Sequence, residues 1–303
     1  MIEPFEYFKS DPYPITLKNF PRFIDGSFDC VAVGGCHCLT LGPKQGHGNR
    51  GRTTEWDIEE LRRYPYIHTV VVTGLQQQTF DFFIRKYGPQ LRAIRFLKCE
   101  QVEDWSLLGT LSGLEFVVWH GNDYITSLWD MSGNRALQGL AFSGFSALRD
   151  VSGIERAPAL KYLHIGDAVN PSVTVKSLAP LAETGIRNVV FMGKAVEDDD
   201  VSFVSAMPRL ETFDFPTHLF TTEQVAWMVA NRPDLRGLAL ADLLPTTKCV
   251  YGTDVPAVQI VGKRKPLLVR AGNEARIETY RRQFAELVDR YRDVPWHEIT
   301  AMR

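Results

Sequence analysis

A glycine-rich, cationic loop is the stretch of this sequence whose residue types best suit phosphate binding. Gly46, Gly48 and Gly51 have the G-x-G-x-x-G spacing of dinucleotide-binding loops, in which glycine lets the backbone approach a pyrophosphate. The basic side chains of residues 42–52 that could contact an anion are Lys44, His47, Arg50 and Arg52. No parallel βαβ unit follows the loop, so two hypotheses stay open: an anion or nucleotide site, and a flexible surface loop.

A second candidate for chemistry is the group formed by Cys30, Cys36, His37 and Cys38. Structural zinc sites take paired cysteines with two to four residues between them. Cys36 and Cys38 are separated by one residue, so on a strand they share one face while His37 points to the other. Buried thiols are the favoured interpretation, and we expect neither a metal nor a cofactor.

Composition restricts the function classes. The chain has 303 residues, 45% hydrophobic and 23% charged, which is typical of a globular protein. A net charge of −2 gives no electrostatic argument for binding nucleic acid or an anionic membrane. No apolar run reaches the roughly 18 residues of a membrane span. Five cysteines are an odd number and sparse for a disulfide scaffold, so we expect a reduced, cytoplasmic protein.

The elements that position these candidates derive from a nine-residue phrase, L-x-x-L-x-L-x-x-N, clearest at residues 114–122 (LEFVVWHGN). Apolar residues recur at its first, fourth and sixth positions, at intervals of 23 to 26 residues. The eight copies begin at Ile67, Leu91, Leu114, Leu137, Leu160, Ile186, Leu210 and Leu235. Self-similarity at one period predicts an α/β repeat solenoid in which each copy contributes one strand to a parallel sheet.

The phrase resembles that of leucine-rich repeat proteins, L-x-x-L-x-L-x-x-N/C-x-L, over residues 67–243. Cys99 and Asn122 occupy the N/C position, and later copies depart from it with Phe145, Ala168, Lys194, His218 and Leu243. The returns at 125–128, 148–151 and 175–181 resemble the internalin-like subclass, whose returns are short 3-10 or irregular segments. Returns 78–87 and 222–231 favour helices. The resemblance implies a horseshoe with a concave parallel β-sheet, and it implies little about function.

The flanking segments predict caps, which gives three regions: 1–66, 67–245 and 246–303. In the first, an aromatic, proline-rich arm precedes a hairpin predicted around residues 34–35. A capping box at residues 54–57 predicts a short helix with Trp56, Ile58 and Leu61 on one face. In the last region we predict a hairpin of strands 255–261 and 266–269, followed by a helix over 273–292.

The sheet face opposite the leucine row is where we expect a partner to bind, because strand positions three, five and seven point there. We call it the non-leucine face. Its middle is apolar, and an exposed apolar patch of that extent marks a protein-binding surface. The residues predicted to contact the partner are Arg95, Phe116, Val118, His120, Tyr162, His164, Val190, Met192 and Asp214. The alternative is that the N-terminal arm or a C-terminal element covers this face.

The ionisable residues of that face do not form a catalytic set. His120 and His164 lie two strands apart, about 10 Å, and Asp214 lies two strands further, too far for a histidine–carboxylate dyad. The acidic run at residues 197–200 is predicted to be a solvated turn. The sequence therefore predicts a non-enzymatic scaffold that binds a protein through the non-leucine face, which is the concave face of the predicted horseshoe. An anion- or nucleotide-binding protein that uses loop 42–52 is the alternative.

Overall fold

The computed structural model describes residues 37–41 and 52–301. Its first strand, β1 (His37–Leu41), pairs in parallel with the strand that opens the repeats, with Leu39 opposite Val70. The predicted hairpin would pair this segment with residues 29–33, which lie outside the described residues together with the turn. In the described part of the chain, β1 is an edge strand of the main sheet.

A short capped helix precedes the repeats, as predicted. Helix α1 (Glu55–Glu59) begins after Thr54, whose hydroxyl accepts a hydrogen bond from Asp57 N while Asp57 Oδ2 accepts one from Thr54 N. A 3-10 turn continues it over Glu60–Arg63. The prediction that Trp56 shares the buried face is wrong, because Trp56 is 62% exposed while Ile58 and Leu61 are buried. Residues two apart on a helix point to different sides.

Within the described residues, the main sheet has eight parallel strands whose spatial order follows the chain, and two further short strands form a separate two-stranded parallel sheet. After β1 the strands are β2 (Ile67–Thr73), β3 (Ala93–Leu97), β4 (Phe116–His120), β5 (Gly139–Ser143), β6 (Tyr162–Gly166), β8 (Asn188–Met192) and β10 (Thr212–Asp214). The short strands are β7 (Thr174–Val175) and β9 (Ala195–Val196). This arrangement is compatible with the predicted α/β repeat fold.

The repeated phrase fixes the strand register. Val117 lies opposite Ile94 and Leu140, so equivalent phrase positions pair with each other across the sheet. In the first seven copies, the fourth and sixth positions are buried in one continuous core with the first. Within that core, the rings of Phe96 and Trp119 stack with their centroids 4.1 Å apart. Each copy thus buries its apolar row against the next copy, which one strand and one return could not do alone.

The returns are short helical or irregular segments. The two predicted helices are confirmed as α2 (Gln77–Tyr87) and α4 (Thr222–Asn231). A third, α3, spans Phe203–Ala206. The 3-10 segments are Gly88–Gln90, Ser106–Thr110, Ile154–Arg156 and Ala179–Glu183. Together these segments bury the side of the leucine row that faces away from the strands.

The eighth copy of the phrase does not form a strand, which corrects the prediction. Residues 235–241 make one isolated bridge to the sheet, between Arg236 and Thr212. Leu238, predicted to be core, is 61% exposed, while Ala239, predicted to face away from the core, is fully buried. The backbone turns here, with Leu240 N donating to Gly237 O at 3.2 Å. This turn reverses which side chains point inward.

The C-terminal region begins earlier than the predicted boundary after residue 245. Strand β11 (Leu243–Val250) was not predicted; it pairs antiparallel with β12 (Thr253–Ile260), which in turn pairs with β13 (Leu267–Val269). The hairpin of the last two strands is confirmed. Helix α5 (Glu274–Tyr291) matches the predicted cap helix, and the unpredicted α6 (Trp296–Ala301) follows it.

The C-terminal helices attach to the repeats through buried tryptophans. Trp227 of α4 and Trp296 of α6 lie with their ring centroids 5.7 Å apart. Trp227 Nε1 donates to Val294 O at 2.7 Å, and Trp296 Nε1 donates to Asp199 O at 2.9 Å. Phe284 of α5 joins the same core as the leucine rows. The region 243–301 therefore closes the end of the apolar core, as a cap does.

Candidate non-leucine-face site

The strands bring all the predicted partner-binding residues onto one face of the sheet. Arg95 lies on β3, Phe116, Val118 and His120 on β4, Tyr162 and His164 on β6, Val190 and Met192 on β8, and Asp214 on β10. In the register, Arg95 lies opposite Val118, and Val190 lies between His164 and Asp214. We call the apolar cluster over β2–β6 the apolar half of the face, although Arg95 and His120 lie on the same strands. The polar half, over β6–β10, holds His164 and Asp214 together with the apolar Val190 and Met192.

The apolar half is a second hydrophobic cluster, separate from the leucine core. Its members are Val71, Ala93, Phe116, Val118, Ala141 and Tyr162. Each of them is buried, with exposures between 2% and 9%. Among the described residues, the one further apolar side chain packed on the cluster is Leu97, which also belongs to the sheet. The sequence left open whether this face is exposed or covered by a terminal segment; the cluster is buried, and residues 1–36, which include the N-terminal arm, lie outside the described residues.

Phe116 owes its position to the residue opposite. Gly139 on β5 pairs with Phe116, and a Cβ atom at Gly139 would lie 2.7 Å from the Phe116 ring. Real Cβ atoms essentially never approach so closely, so the ring occupies the space that the missing side chain leaves. Glycine here serves the packing of the non-leucine face, a role that periodicity alone does not reveal.

His164 is buried and incompletely hydrogen-bonded. The side chain is 8% exposed, and its Nε2 lies 3.1 Å from Gly166 O. Its Nδ1 has no hydrogen-bond partner in the residues that the structure describes. Burial lowers the pKa of His164 to about 4, so the imidazole is neutral near pH 7. Because Nε2 faces a carbonyl oxygen, it carries the proton and donates to Gly166 O, so the neutral ring leaves Nδ1 as an acceptor.

Asp214 does not act together with His164. Its Oδ1 accepts a hydrogen bond from Leu238 N at 2.9 Å, and burial raises the pKa of this carboxyl. Val190 separates the two residues in the sheet, so the carboxylate does not orient the imidazole. On β4, His120 Nδ1 instead meets the Ser143 hydroxyl at 2.7 Å. The face therefore holds single polar groups rather than a linked acid–base pair.

The polar residues of this face that were not among the predicted contacts include Ser143, Asn188 and Thr212. Asn188 Nδ2 donates to Thr212 Oγ1 at 2.7 Å, while Asn188 Oδ1 has no hydrogen-bond partner in the described residues. Both residues occupy phrase position three, and Ser143 occupies position seven. Their phrase positions, three and seven, indicate that they lie on this face, but the prediction favoured large apolar and ionisable side chains.

The candidate anion loop is not described by the structure, apart from its last residue. Lys44, His47 and Arg50 lie outside the described residues, and Arg52 is exposed. The anion-site hypothesis therefore stays a prediction. Cys30 and Cys36 also lie outside them. Within the described ranges, no group of three or more histidine, cysteine, aspartate or glutamate side chains could hold a metal ion.

The acidic run is less solvated than predicted. Asp198 is half-buried, and burial raises the pKa of its carboxyl, whose Oδ1 has no hydrogen-bond partner among the described residues. The Asp199 carbonyl accepts hydrogen bonds from Trp296 Nε1 and from Gln224 Nε2, at 2.9 and 3.0 Å. The run thus anchors α6 and α4 to the repeats through its backbone.

A cleft of about 240 Å³ lies where α4, α5 and the C-terminal sheet meet. Charges of both signs line it, including Asp242, Lys265 and Arg290. Lys265 Nζ lies over the Tyr280 ring at 5.5 Å, and Asp242 lies 3.5 Å from the Arg281 guanidinium. Asp242 and Lys265 thus have partners within the chain, and the mixed charges of the lining indicate no single ligand chemistry.

No family model and no curated protein matches this chain. Among solved structures, a leucine-rich repeat protein of Leptospira interrogans is similar, with 14% sequence identity and a TM-score of 0.33. The match covers 57% of this chain and 48% of that one, so it spans about half of the Leptospira structure. Across the residues that the structure describes, no helix is long and apolar enough to cross a membrane.

Proposed function

We propose that this chain is a leucine-rich repeat protein of the internalin-like type that binds a protein partner through its non-leucine face and catalyses no reaction. The observation that carries the proposal is the second apolar cluster, formed by Val71, Ala93, Phe116, Val118, Ala141 and Tyr162. A repeat sheet needs one apolar face for its core. A second apolar face, on the other side of the same strands, is what binding to another polypeptide requires.

The family part of the proposal is supported by how the phrase is used. Asn122 fills the N/C position and hydrogen-bonds main-chain groups of its own copy and the preceding one. Several returns are 3-10 segments, as in the internalin-like subclass. The strands occur at the spacing of the phrase and pair in register, which is the arrangement from which a horseshoe with a concave sheet is built.

The two halves of the face indicate what a partner should present. Phe116 and Tyr162 suit an aliphatic or aromatic anchor, because aromatic side chains contribute large apolar contact areas in interfaces. Beside them, Asn188 Oδ1 and His164 Nδ1 have no hydrogen-bond partner among the described residues, and each is available to accept a hydrogen bond from a partner. The partner is therefore a polypeptide that presents an apolar side chain next to a hydrogen-bonding group.

Burial of the face sets a condition on binding. Since the side chains of the apolar half are at most 9% exposed, a partner must replace the contacts that bury them. Such an exchange lowers the apparent affinity by the fraction of molecules in which the face is free. A low apparent affinity is therefore expected even where the intrinsic affinity of the face for its partner is high.

The absence of a catalytic role is supported by the separation of the ionisable groups. His164, Asp214 and His120 each contact a different neighbour, and His164 is neutral near pH 7. General acid–base catalysis needs a base within hydrogen-bond reach of the proton it moves and a group that orients the base. On this face the imidazoles are bonded to a carbonyl and to a hydroxyl instead.

The test is a binding measurement with the double variant Phe116→Ala and Tyr162→Glu in the full chain. We expect a co-purifying protein to be lost, or its Kd to rise at least about a hundredfold, because two hot-spot side chains are removed. The matched control is Tyr124→Ala, which changes a 53% exposed tyrosine after β4 that is not on this face. Circular dichroism must show that both variants are folded.

Unchanged capture by the double variant would remove the non-leucine face as the binding surface. A loss of binding that Tyr124→Ala produces equally would also contradict the proposal, because it would place the contact elsewhere. The enzymatic part is tested separately: hydrolytic or transfer activity that His164→Gln abolishes in a folded protein would overturn the non-enzymatic assignment.

A further inference from the structure

The distal half of the β11–β12 hairpin, residues 245–256, projects from the protein as a two-stranded ribbon. Each of these residues is exposed or half-buried, and Tyr251 at the turn is fully exposed. Strand β13 pairs with β12 only over residues 257–259, which lie closer to the body of the protein. Two-stranded hairpins are only marginally stable in water, so this ribbon would gain stability from a third strand.

The strand register determines which backbone groups of the ribbon point away from it. The two-residue turn makes Val250 and Thr253 a hydrogen-bonded pair, and bonded and non-bonded pairs alternate from there. The pairs Cys249–Asp254 and Thr247–Pro256 are therefore non-bonded. Their N–H and C=O groups point to the outer edges of the two strands.

Hydrogen bonds on the β12 side support this alternation. Pro256 has no N–H to donate, and its carbonyl accepts from Arg270 N at 3.0 Å on the side away from β11. Ile260, also at a non-bonded position, donates to Pro266 O at 3.2 Å on the same side. On β11 the equivalent outward groups are those of Thr247 and Cys249.

The outer edge of β11 is the terminal edge of its sheet in the described part of the chain. Along this edge the Thr246 hydroxyl lies 3.5 Å from Thr247 O, at the limit of hydrogen bonding. The strand sequence is LLPTTKCV, with β-branched threonine and valine around Lys248. Unpaired backbone groups on a strand of this composition are a template for a further strand.

We propose that this edge binds an extended segment of another protein, which adds a strand beside Thr247–Cys249 and places an acidic residue opposite Lys248. Lys248 is the one ionised side chain on β11. It is at a bonded position toward β12, so toward an incoming antiparallel strand it is at a non-bonded position, where facing side chains are closest. An opposite charge there stabilises the pair, and main-chain hydrogen bonds supply the rest of the affinity.

A second copy of this chain fits the edge less well. A two-fold antiparallel pair centred on Lys248 would set the two lysines directly opposite each other, which is destabilising. Centred on Thr247, it would set Cys249 against Pro245, which has no N–H. Centred on Cys249, it would set Thr247 against Tyr251, which is already in the turn. A strand from a different protein, with its own sequence, has none of these conflicts. This surface is separate from the non-leucine face.

The test begins by panning a displayed library of random ten-residue peptides against the full chain. We expect enriched peptides with alternating β-branched residues and a central aspartate or glutamate. Each selected peptide is then measured by fluorescence anisotropy against Thr247→Pro and against its matched control, Thr247→Ala. Proline removes an outward N–H without touching the ladder to β12, so we expect a Kd at least about tenfold weaker, whereas alanine should change it less than about twofold.

Hydrogen exchange gives a second measurement that does not depend on a variant. In the full chain the Thr247 and Cys249 amides should exchange faster than those of Thr246 and Lys248, and a selected peptide should slow both at least about tenfold. Failure to enrich any peptide, equal affinity for the proline and alanine variants, or unprotected amides in the complex would each overturn the proposal. A free chain that sediments as a dimer, and as a monomer once Thr247→Pro is introduced, would also overturn it, because a second copy would then occupy the edge.

Discussion

The side chain of Asn122 donates a hydrogen bond from Nδ2 to Val102 O at 2.8 Å, which ties the segment after β4 to the segment after β3. The same nitrogen donates to Cys99 O at 3.2 Å, and Oδ1 accepts from Tyr124 N and Ile125 N, each at 2.9 Å. Asn122 is fully buried. One amide therefore satisfies four main-chain groups in two successive copies of the repeat.

Asn122→Ala should lower the free energy of unfolding by about 3 kcal/mol, because it leaves buried main-chain donors and acceptors without partners. Urea denaturation followed by circular dichroism measures the change. The matched control is Asn170→Ala, at an exposed position after β6, where a change below about 0.5 kcal/mol is expected. Similar losses for the two variants would show that the Asn122 hydrogen bonds contribute little to stability.

Arg232 has a comparable role at the C-terminal end of the repeats. The residue is 9% exposed. Its guanidinium donates hydrogen bonds to Val204 O, Met207 O and Leu210 O, at 2.7 to 2.8 Å. It also pairs with Asp234 at 2.8 Å. Arg232→Lys should lower the free energy of unfolding by about 3 kcal/mol, since one ammonium group cannot reach three carbonyls in a planar fork.

The control for this prediction is Asp234→Asn, which removes the charge of the partner and leaves the three carbonyl contacts. The Asp234 side chain is 63% exposed, so the free energy of unfolding should fall by less than about 1 kcal/mol. Thermal or urea denaturation of the two variants side by side measures the difference. A larger loss of unfolding free energy for Asp234→Asn than for Arg232→Lys would mean that the ion pair, and not the carbonyl contacts, stabilises this end of the repeats.

His164 should make stability depend on pH. Burial lowers its folded-state pKa to about 4, below the ordinary value of 6.5, so between these pH values the unfolded chain binds the proton more readily. The contribution of His164 is complete above pH 6.5 and is lost as pH falls toward 4. The loss at pH 4 amounts to about 3 kcal/mol relative to a residue that does not titrate.

The measurement compares wild type with His164→Gln by urea denaturation between pH 7.5 and 4. The difference between their unfolding free energies should shift in favour of the variant as pH falls. The comparison is needed because burial raises the pKa of Asp214, which acts in the opposite direction: it favours the folded state as pH falls and loses that effect as pH rises. A difference that does not change with pH would show that His164 titrates alike in both states.

The strands of the repeats could be predicted because each is encoded by its own residues. Apolar residues stand at positions four and six of every phrase, and the phrase recurs at one period. The helices α2 and α4 were equally readable from their own spacing. The eighth copy has the same letters, yet Leu238 is exposed and Ala239 is buried, because the backbone turns there instead of extending. That outcome depends on how the chain enters β11, which no local pattern encodes.

The position of the candidate site could be predicted from the sequence, but the burial of its side chains could not. Alternation along a strand places Phe116, Tyr162 and His164 on one face, and the register confirms it. Their burial depends on what packs over the sheet, which is a property of the whole chain. Strand β11 is not predicted for a different reason: Pro245 is tolerated in a strand only at an edge position, and no alternating apolar pattern follows it.

Gly139→Ala should destabilise the protein through the non-leucine face. The new Cβ atom would lie 2.7 Å from the Phe116 ring, so the ring must move within its buried cluster. The expected cost is about 1 to 2 kcal/mol, typical of an overpacked site. Gly113→Ala is the matched control, because a Cβ atom there would meet no atom within 4 Å. Equal melting temperatures for the two variants would show that the fit of Phe116 against Gly139 is loose.

The turn of the β11–β12 hairpin should be improved by Tyr251→Asn. Tyr251 adopts a φ of 54° and Gly252 one of 80°, the left-handed pair of a type I′ turn, in which asparagine followed by glycine is favoured. A bulky residue at positive φ is strained, and Tyr251 is fully exposed, so it has no buried contact that would be lost. We expect the free energy of unfolding to rise by about 1 kcal/mol.

Tyr251→Ala is the control, because alanine shortens the side chain as asparagine does but is disfavoured at positive φ. It should leave the unfolding free energy of the full chain unchanged or lower it. Hydrogen exchange at the Thr253 amide, which closes the turn, should slow in the asparagine variant alone. An equal gain in unfolding free energy for both variants would attribute the effect to removal of an exposed aromatic ring. A loss of unfolding free energy for Tyr251→Asn would show that the tyrosine stabilises the turn through contacts other than burial.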